Sequence, residues 1–488
     1  VGLAVAVAAL VAAPALAAAP PAPPERPALP APFDAWHVTV DHGHDPHVEW
    51  VSFDSAVLGR RATMRVVVPD LYGRTSAPLP VVYYLHGTIR IGTSPVLDQL
   101  FDLLADQGAD LGYPFGPGSA HDEAGYLVRD ADRLGFLAVS PDAETSEPWC
   151  EHCAWVDGRN GAGVDAERHL YEEVLPLTQA LFRVRTDRAG RGIMGASMGA
   201  AGALIQASRH PDLFSVVAAL SPPMDYLYDA PYADLLWALY LREQGYEPAK
   251  VFPIGTRAVN PADLVSNLRG EGIDTIITVG EGCVAGAGKG ECRTASFADQ
   301  PIDALQEILI RHQDDLYVPA AIASGVPISY LTYDGVHFVV NGDVFERHLL
   351  DRMNHDLAVG TPVPASVTFR SADPSFSLWG WEVALQRPNQ EFVTVDARPD
   401  GTALAISGSG VLHLRSPAVF APGSLHRVTV AASDAGRPTT TRTLRAGPDG
   451  RVQVGVDLGV RHPLDEVGPL AALGVVRSPQ TRITIAPS

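Results

Sequence analysis

The sequence predicts an α/β domain built on a mostly parallel sheet with helices on both faces, followed by a smaller all-β sandwich. Three observations carry that prediction. Continuous apolar runs, each bounded by Gly, Pro or Asp, recur between about 80 and 335 with helical stretches between them. Such runs suit strands buried on both faces of a parallel sheet. Beyond Gly360-Thr361-Pro362-Val363-Pro364 the texture changes to short alternating runs separated by turn residues, with no convincing helix. The length, 488 residues, also fits two or three domains of roughly 150 residues.

Taken in order, residues 1–19 form an Ala-rich apolar run ending in small residues (Ala15, Ala17), which reads as a secretory signal peptide and implies export. Residues 20–35 are Pro-rich and predict an extended linker. The α/β domain is expected over 36–358, with strands at 80–87, 134–140, 190–197, 215–221, 274–280 and 327–335. A helix is expected over 165–183, where Leu170, Val174, Leu177 and Leu181 make one stripe that Pro176 should kink. After a linker at 359–364, the sandwich is expected over 365–488. Its strands are read at 366–371, 391–397, 403–408, 411–416, 426–432 and 452–458. No other stretch is long and apolar enough to predict a transmembrane segment.

Composition narrows the partners. Hydrophobic residues at 46% and charged residues at 19% describe a globular chain. The balance of 36 basic against 56 acidic residues, a formal charge of −20, argues against nucleic acid as a partner. Lys250 and Lys289 are the only lysines, which disfavours Schiff-base chemistry. Cys150 with Cys153 and Cys283 with Cys292 form two local pairs, read as disulfides of an exported protein. The CEHC run resembles half of a zinc site, but the second pair lacks that spacing. The cluster Asp41-His42-Gly43-His44-Asp45-Pro46-His47 has the wrong order for a binuclear hydrolase site and reads as a solvated loop. No metal and no organic cofactor is expected.

The strongest chemical signal is Gly195-Ala196-Ser197-Met198-Gly199, a G-x-S-x-G placed after an apolar strand and before a stretch of small residues. A serine on a tight strand-to-helix turn adopts a strained backbone that only glycine-sized neighbours tolerate. The turn pushes Oγ out at the carboxyl end of the sheet. Ser197 is the expected nucleophile. The oxyanion it generates needs two amides, those of Met198 and Thr88, the latter on the loop after the strand ending in Leu85-His86-Gly87. His86 precedes the serine and reads as lining that loop. The base is expected after a late strand, where Tyr333-Asp334-Gly335-Val336-His337 supplies His337; His312 and His348 lie in charged, helical surroundings. The acid is expected between 280 and 301, where Glu281, Glu291 and Asp299 compete and Glu291 is preferred. Trp149 and Trp155 either cap a pocket or pack on the Cys150–Cys153 loop.

These residues resemble a known group. The stretch from Asp165 to Asp225, with 60–88 and 327–338, resembles the esterase D-like branch of the α/β-hydrolase family, which includes S-formylglutathione hydrolases, feruloyl esterases and secreted mycolyltransferases. The resemblance implies an α/β-hydrolase fold and a Ser-acid-His acyl-enzyme mechanism with Ser197 and His337 in the matching positions. It also favours Glu291, because mycolyltransferases carry a glutamate before a helix pair resembling ALQEILIRHQDDLY, and a cysteine pair matching Cys150–Cys153. Where mycolyltransferases have an aspartate and tryptophans, this chain has His86 and Phe338-Val339-Val340. The function expected is therefore a secreted carboxylic-ester hydrolase acting on a small or polymer-linked ester. The alternatives are an acyltransferase passing the acyl group to a sugar hydroxyl, and a non-catalytic cell-wall or glycan-binding protein. The sandwich either binds a cell-wall glycan or covers one side of the catalytic domain.

Overall fold

The computed structural model describes residues 29–88, 125–141, 149–150, 152–248, 253–283, 292, 301–337, 349–434, 436–459, 461–462, 464–466 and 478–488, with backbone only at 301–303. The expected signal peptide and most of the Pro-rich linker lie outside them. Nine strands build the larger sheet: β1 (Thr39–His42), β2 (Val48–Ser55), β3 (Arg60–Val67), β4 (Val81–Leu85), β5 (Leu137–Pro141), β6 (Arg191–Ala196), β7 (Val216–Leu220), β8 (Asp274–Gly280) and β9 (Ile328–Tyr333). Their order is β1-β2-β3-β5-β4-β6-β7-β8-β9. Pairing is antiparallel from β1 to β5 and parallel from there to β9.

The residues of β4 explain why the sheet is covered on both sides. Val81, Tyr83 and Leu85 point into one apolar cluster, Val82 and Tyr84 into another, and all five are buried. Helix α1 (Met198–Arg209) packs into the first cluster through Met198, Ala200, Ala203 and Leu204. The second is closed by Met353 and Leu357 of a later helix, Asp351–Val359. From β4 the chain passes to β5 on one side and then returns to β6 on the other, so the strand order reverses at β4. A crevice opens beyond the carboxyl ends of adjacent strands at such a reversal.

All six strands read from apolar runs form. The antiparallel β1–β3 region adds to the expected strands; β2 interleaves buried Val51, Phe53 and Ser55 with less buried neighbours, whereas β3 is buried from Met64 to Val67. The helix expected over 165–183 is broken differently from the expectation. Ala166–Arg168 leads into a π-helical turn, His169–Val174, and Pro176 falls in the first turn of the α-helical segment Leu175–Leu181. The helix runs on through Val174, so the interruption expected at Pro176 takes the form of the wider π turn just before it.

The C-terminal strands are β10 (Val367–Ser371), β11 (Ser375–Leu378), β12 (Trp381–Gln386), β13 (Val393–Ala397), β14 (Ala403–Ser407), β15 (Val411–Arg415), β16 (Leu425–Ala432), β17 (Thr440–Arg445), β18 (Gln453–Asp457) and β19 (Gln480–Pro487). They form two antiparallel sheets, β10-β13-β14-β19-β16-β17 and β11-β12-β15-β18. One apolar core lies between them, around Phe369, Trp381, Ile406 and Leu412.

Buried polar contacts join the two units. Arg257 pairs with Glu466 at 3.0 Å, both side chains being buried. Asn267 exchanges two hydrogen bonds with the Arg370 backbone. Trp379 donates its indole N–H to Glu271 at 2.7 Å and its amide to Asp212. Burial pushes the Glu271 carboxyl up to about 8, against the lowering effect of Trp379 and Arg188. Between an ordinary carboxylate value of 4.5 and about 8 the folded chain holds a proton that the unfolded chain has released. Stability therefore falls as pH rises through that window. Glu271→Gln should remove the dependence: thermal melting at pH 5 and pH 8 should show a smaller loss for the variant than for the parent, and parallel losses would refute it.

Candidate active site

Ser197 sits between β6 and α1 with φ 53° and ψ −121°, a conformation that a side-chain-bearing residue rarely adopts. Its glycine neighbours are required by close approach. A Cβ on Gly199 would lie 1.9 Å from the Leu85 carbonyl oxygen and 2.5 Å from that of His86; one on Gly195 would lie 2.4 Å from the Gly199 carbonyl oxygen. The start of α1 is thus pressed directly against the loop that leaves β4. The Ser197 amide donates to the Leu220 carbonyl at 2.8 Å and its carbonyl accepts from Ala200 and Ala201, so the turn is held from both sides.

The small residues after the serine serve the same closeness. Gly202 faces Trp155, whose side-chain carbons stand 2.8 Å from where a Cβ would be. The Trp155 indole donates to the His86 carbonyl at 3.1 Å, and its ring meets the His86 ring edge-on at 4.9 Å. Trp149 packs edge-on against Trp155. Both tryptophans are buried beside the Cys150–Cys153 bridge, which answers the choice left open by the sequence in favour of packing. The second pair, Cys283 and Cys292, is also bonded. His86 is buried in the loop after β4, its Nδ1 2.7 Å from the Gly87 carbonyl oxygen.

His337 follows β9 and is buried. Its Nε2 lies 2.9 Å from Ser197 Oγ, and its Nδ1 lies 2.6 Å from Glu307 Oε2. The carboxylate differs from all three candidates of the sequence reading. Glu291 and Asp299 lie outside the described residues, and Glu281 is half exposed and paired with Arg311 at 3.1 Å. Glu307 belongs to helix α2 (Pro301–Ala323) and is fully buried. Glu307 is the carboxylate that the structure places against the His337 ring. The expected place for the acid is the loop after β8, between 280 and 301, whereas the carboxylate beside His337 reaches it from the helix beyond that loop. Ala304, Glu307, Ile310, Gln313 and Asp314 lie on one buried face of α2, where a glutamate needs a polar partner; it is the burial of that face, and not the sequence pattern, that marks Glu307.

Thr88 is buried, and its hydroxyl donates to the Tyr240 hydroxyl at 3.1 Å, fixing the loop after β4 beside the turn. Met198 opens α1, where amides have no acceptor within the helix. A hydroxyl, an imidazole and a carboxylate in this order can deprotonate the serine as it attacks an electrophilic carbon and hold the imidazolium that results. In the His-rich entry segment, His47 pairs with Asp45 and Asp70.

A family model named Esterase, described as "Putative esterase", matches residues 138–255 and so includes Ser197. Esterase Rv1288 of Mycobacterium tuberculosis is 24% identical over 183 residues, 37% of this chain and 33% of the relative. The chain thus spans about a third of that curated relative's length. Among solved structures, a ferulic acid esterase is similar at 20% identity over 64% of this chain and 98% of that chain, with a TM-score of 0.39. An S-formylglutathione hydrolase from Agrobacterium tumefaciens is similar at 17% identity over 66% and 99%, with a TM-score of 0.42. The chain resembles esterases in the segment that carries the serine turn.

Gly199→Ala should destabilise the fold by about 1–3 kcal/mol or more, since backbone carbonyls rather than side chains occupy the space. Urea unfolding of the variant beside the parent checks this, and an unchanged midpoint would contradict the described approach of β4 to α1.

Proposed function

We propose that this chain is a serine carboxylic-ester hydrolase. The observation that carries the reading is the continuous contact from Ser197 through His337 to Glu307, at the carboxyl edge of the sheet where the strand order reverses. Ser197 Oγ attacks the ester carbonyl while His337 Nε2 takes its proton, and Glu307 stabilises the imidazolium. The tetrahedral oxyanion is held by the Met198 and Thr88 amides. Collapse expels the alcohol, which receives the proton from His337, and leaves the acyl group on Ser197. Water, deprotonated by the same imidazole, then releases the carboxylic acid and restores the serine. The Esterase match over 138–255 supports this chemistry.

Export is part of the proposal: two disulfides suit an oxidising compartment, and among the described residues no helix is long and apolar enough to cross a membrane. We assign residues 36–358 to the catalytic unit and 365–488 to a flank that covers one side of it. The buried contacts of Arg257, Asn267 and Glu271 favour that role over a tethered glycan-binding module.

A panel of aryl and aliphatic esters, with a fluorophosphonate probe, tests the reading. Ser197 should be the labelled residue, and Ser197→Ala should abolish labelling and turnover. Glu307→Gln should lower kcat by on the order of 10³- to 10⁴-fold, while Glu281→Gln stays within about twofold of the parent, as expected for an exposed ion pair. Absence of labelling in folded protein would favour a binding role, and dominant acyl-sugar product in the presence of a sugar would favour a transferase.

A further inference from the structure

We infer that a second serine, Ser221, is a positioning residue that sets the orientation of Glu307 and hence of the His337 ring. The inference rests on the hydrolase reading above. Ser221 immediately follows β7 and is buried; its hydroxyl donates to Glu307 Oε1 at 2.6 Å. The same oxygen accepts the Gly280 amide at the end of the neighbouring strand β8. Glu307 Oε2, the other oxygen, is the one that faces His337 Nδ1 at 2.6 Å. Two adjacent parallel strands therefore aim one donor each at Oε1, leaving Oε2 to the imidazole.

Two features point to a role for the hydroxyl itself. Ser221 has φ 53°, a left-handed conformation in which glycine is the unstrained choice. Its backbone needs no hydroxyl, because the Ser221 amide is already bonded to the Thr278 carbonyl. What the serine adds over glycine at this place is the O–H on Glu307. Gly280, conversely, has to lack a side chain: a Cβ there would lie 2.9 Å from Glu307 Oε1 and 2.7 Å from the Gly335 carbonyl oxygen. A glutamate reaching from a helix has three rotatable side-chain bonds. Fixing one oxygen with two donors selects the rotamer in which the other can meet the ring.

Ser221→Gly and Ser221→Ala in the full chain separate this role from a structural one. Both variants lack the hydroxyl, but the glycine variant relieves the backbone strain that the alanine variant keeps, so Ser221→Gly should melt above Ser221→Ala. Both variants should lose kcat by on the order of 10- to 100-fold, the scale of a misplaced catalytic group, with KM within about twofold. A downfield proton resonance of the His337 Nδ1–H is expected in the parent from the 2.6 Å contact with Glu307 and should shift or broaden in both variants. Unchanged kcat together with an unchanged resonance would overturn the inference. So would a loss confined to KM or explained by melting. A parent protein that neither turns over esters nor labels at Ser197 would instead overturn the hydrolase reading, and the proton resonance would still report whether Ser221 governs the Glu307–His337 contact.

Discussion

The backbone at Ser197 is the constraint on which the site depends. A residue held at φ 53° lies in a region that disfavours side chains and costs on the order of 1–3 kcal/mol. It persists because everything around it is fixed. The turn is pinned by Leu220 on one side and by the first turn of α1 on the other, and α1 is buried from Met198 to Ser208. Small residues let that helix settle against β4, β6 and Trp155, and the hydroxyl is left facing His337 Nε2.

A second constraint is electrostatic. Glu307 is fully buried, and a carboxylate without water is tolerable only when donors surround it. They come from three places distant in sequence: the ends of β7 and β8 and the loop after β9. The parallel sheet brings these ends to one edge, so the order of strands, and not any local motif, creates the environment in which the imidazole and carboxylate face each other. The contact between Ser197 and His337 spans 140 residues and is made by the same edge.

What was legible in the sequence follows from this division. The serine turn could be read because glycine spacing reports local backbone strain, and His337 because a histidine just past the final strand of a parallel sheet has one natural destination. Continuous apolar runs located β4 to β9, and alternation located most of the sandwich. The carboxylate that meets His337 was not legible by the same logic. Glu307 lies inside a helix whose apolar stripe is interrupted by Leu305 on the exposed side and by Gln313 and Asp314 on the buried side, so its periodicity does not single out one polar residue. Strands β1 and β2 escaped because polar residues break up their apolar ones, and in β3 the buried Val66-Val67 pair is too short a run beside Arg60, Arg61, Thr63 and Arg65. The contacts between the two units, such as Arg257 with Glu466, join residues 209 apart and leave no local trace.

The seam between the units bears on how the larger one can be handled in isolation. Arg257 stacks over Phe392 while pairing with Glu466, and Arg370 stacks over the same ring. A chain cut after Val359 would strip that aromatic cover and one of the counter-charges from Arg257, and would admit solvent to Glu271. The truncated protein would then carry a differently ionised flank, so its solubility and acid tolerance would describe a new surface and not the parent molecule.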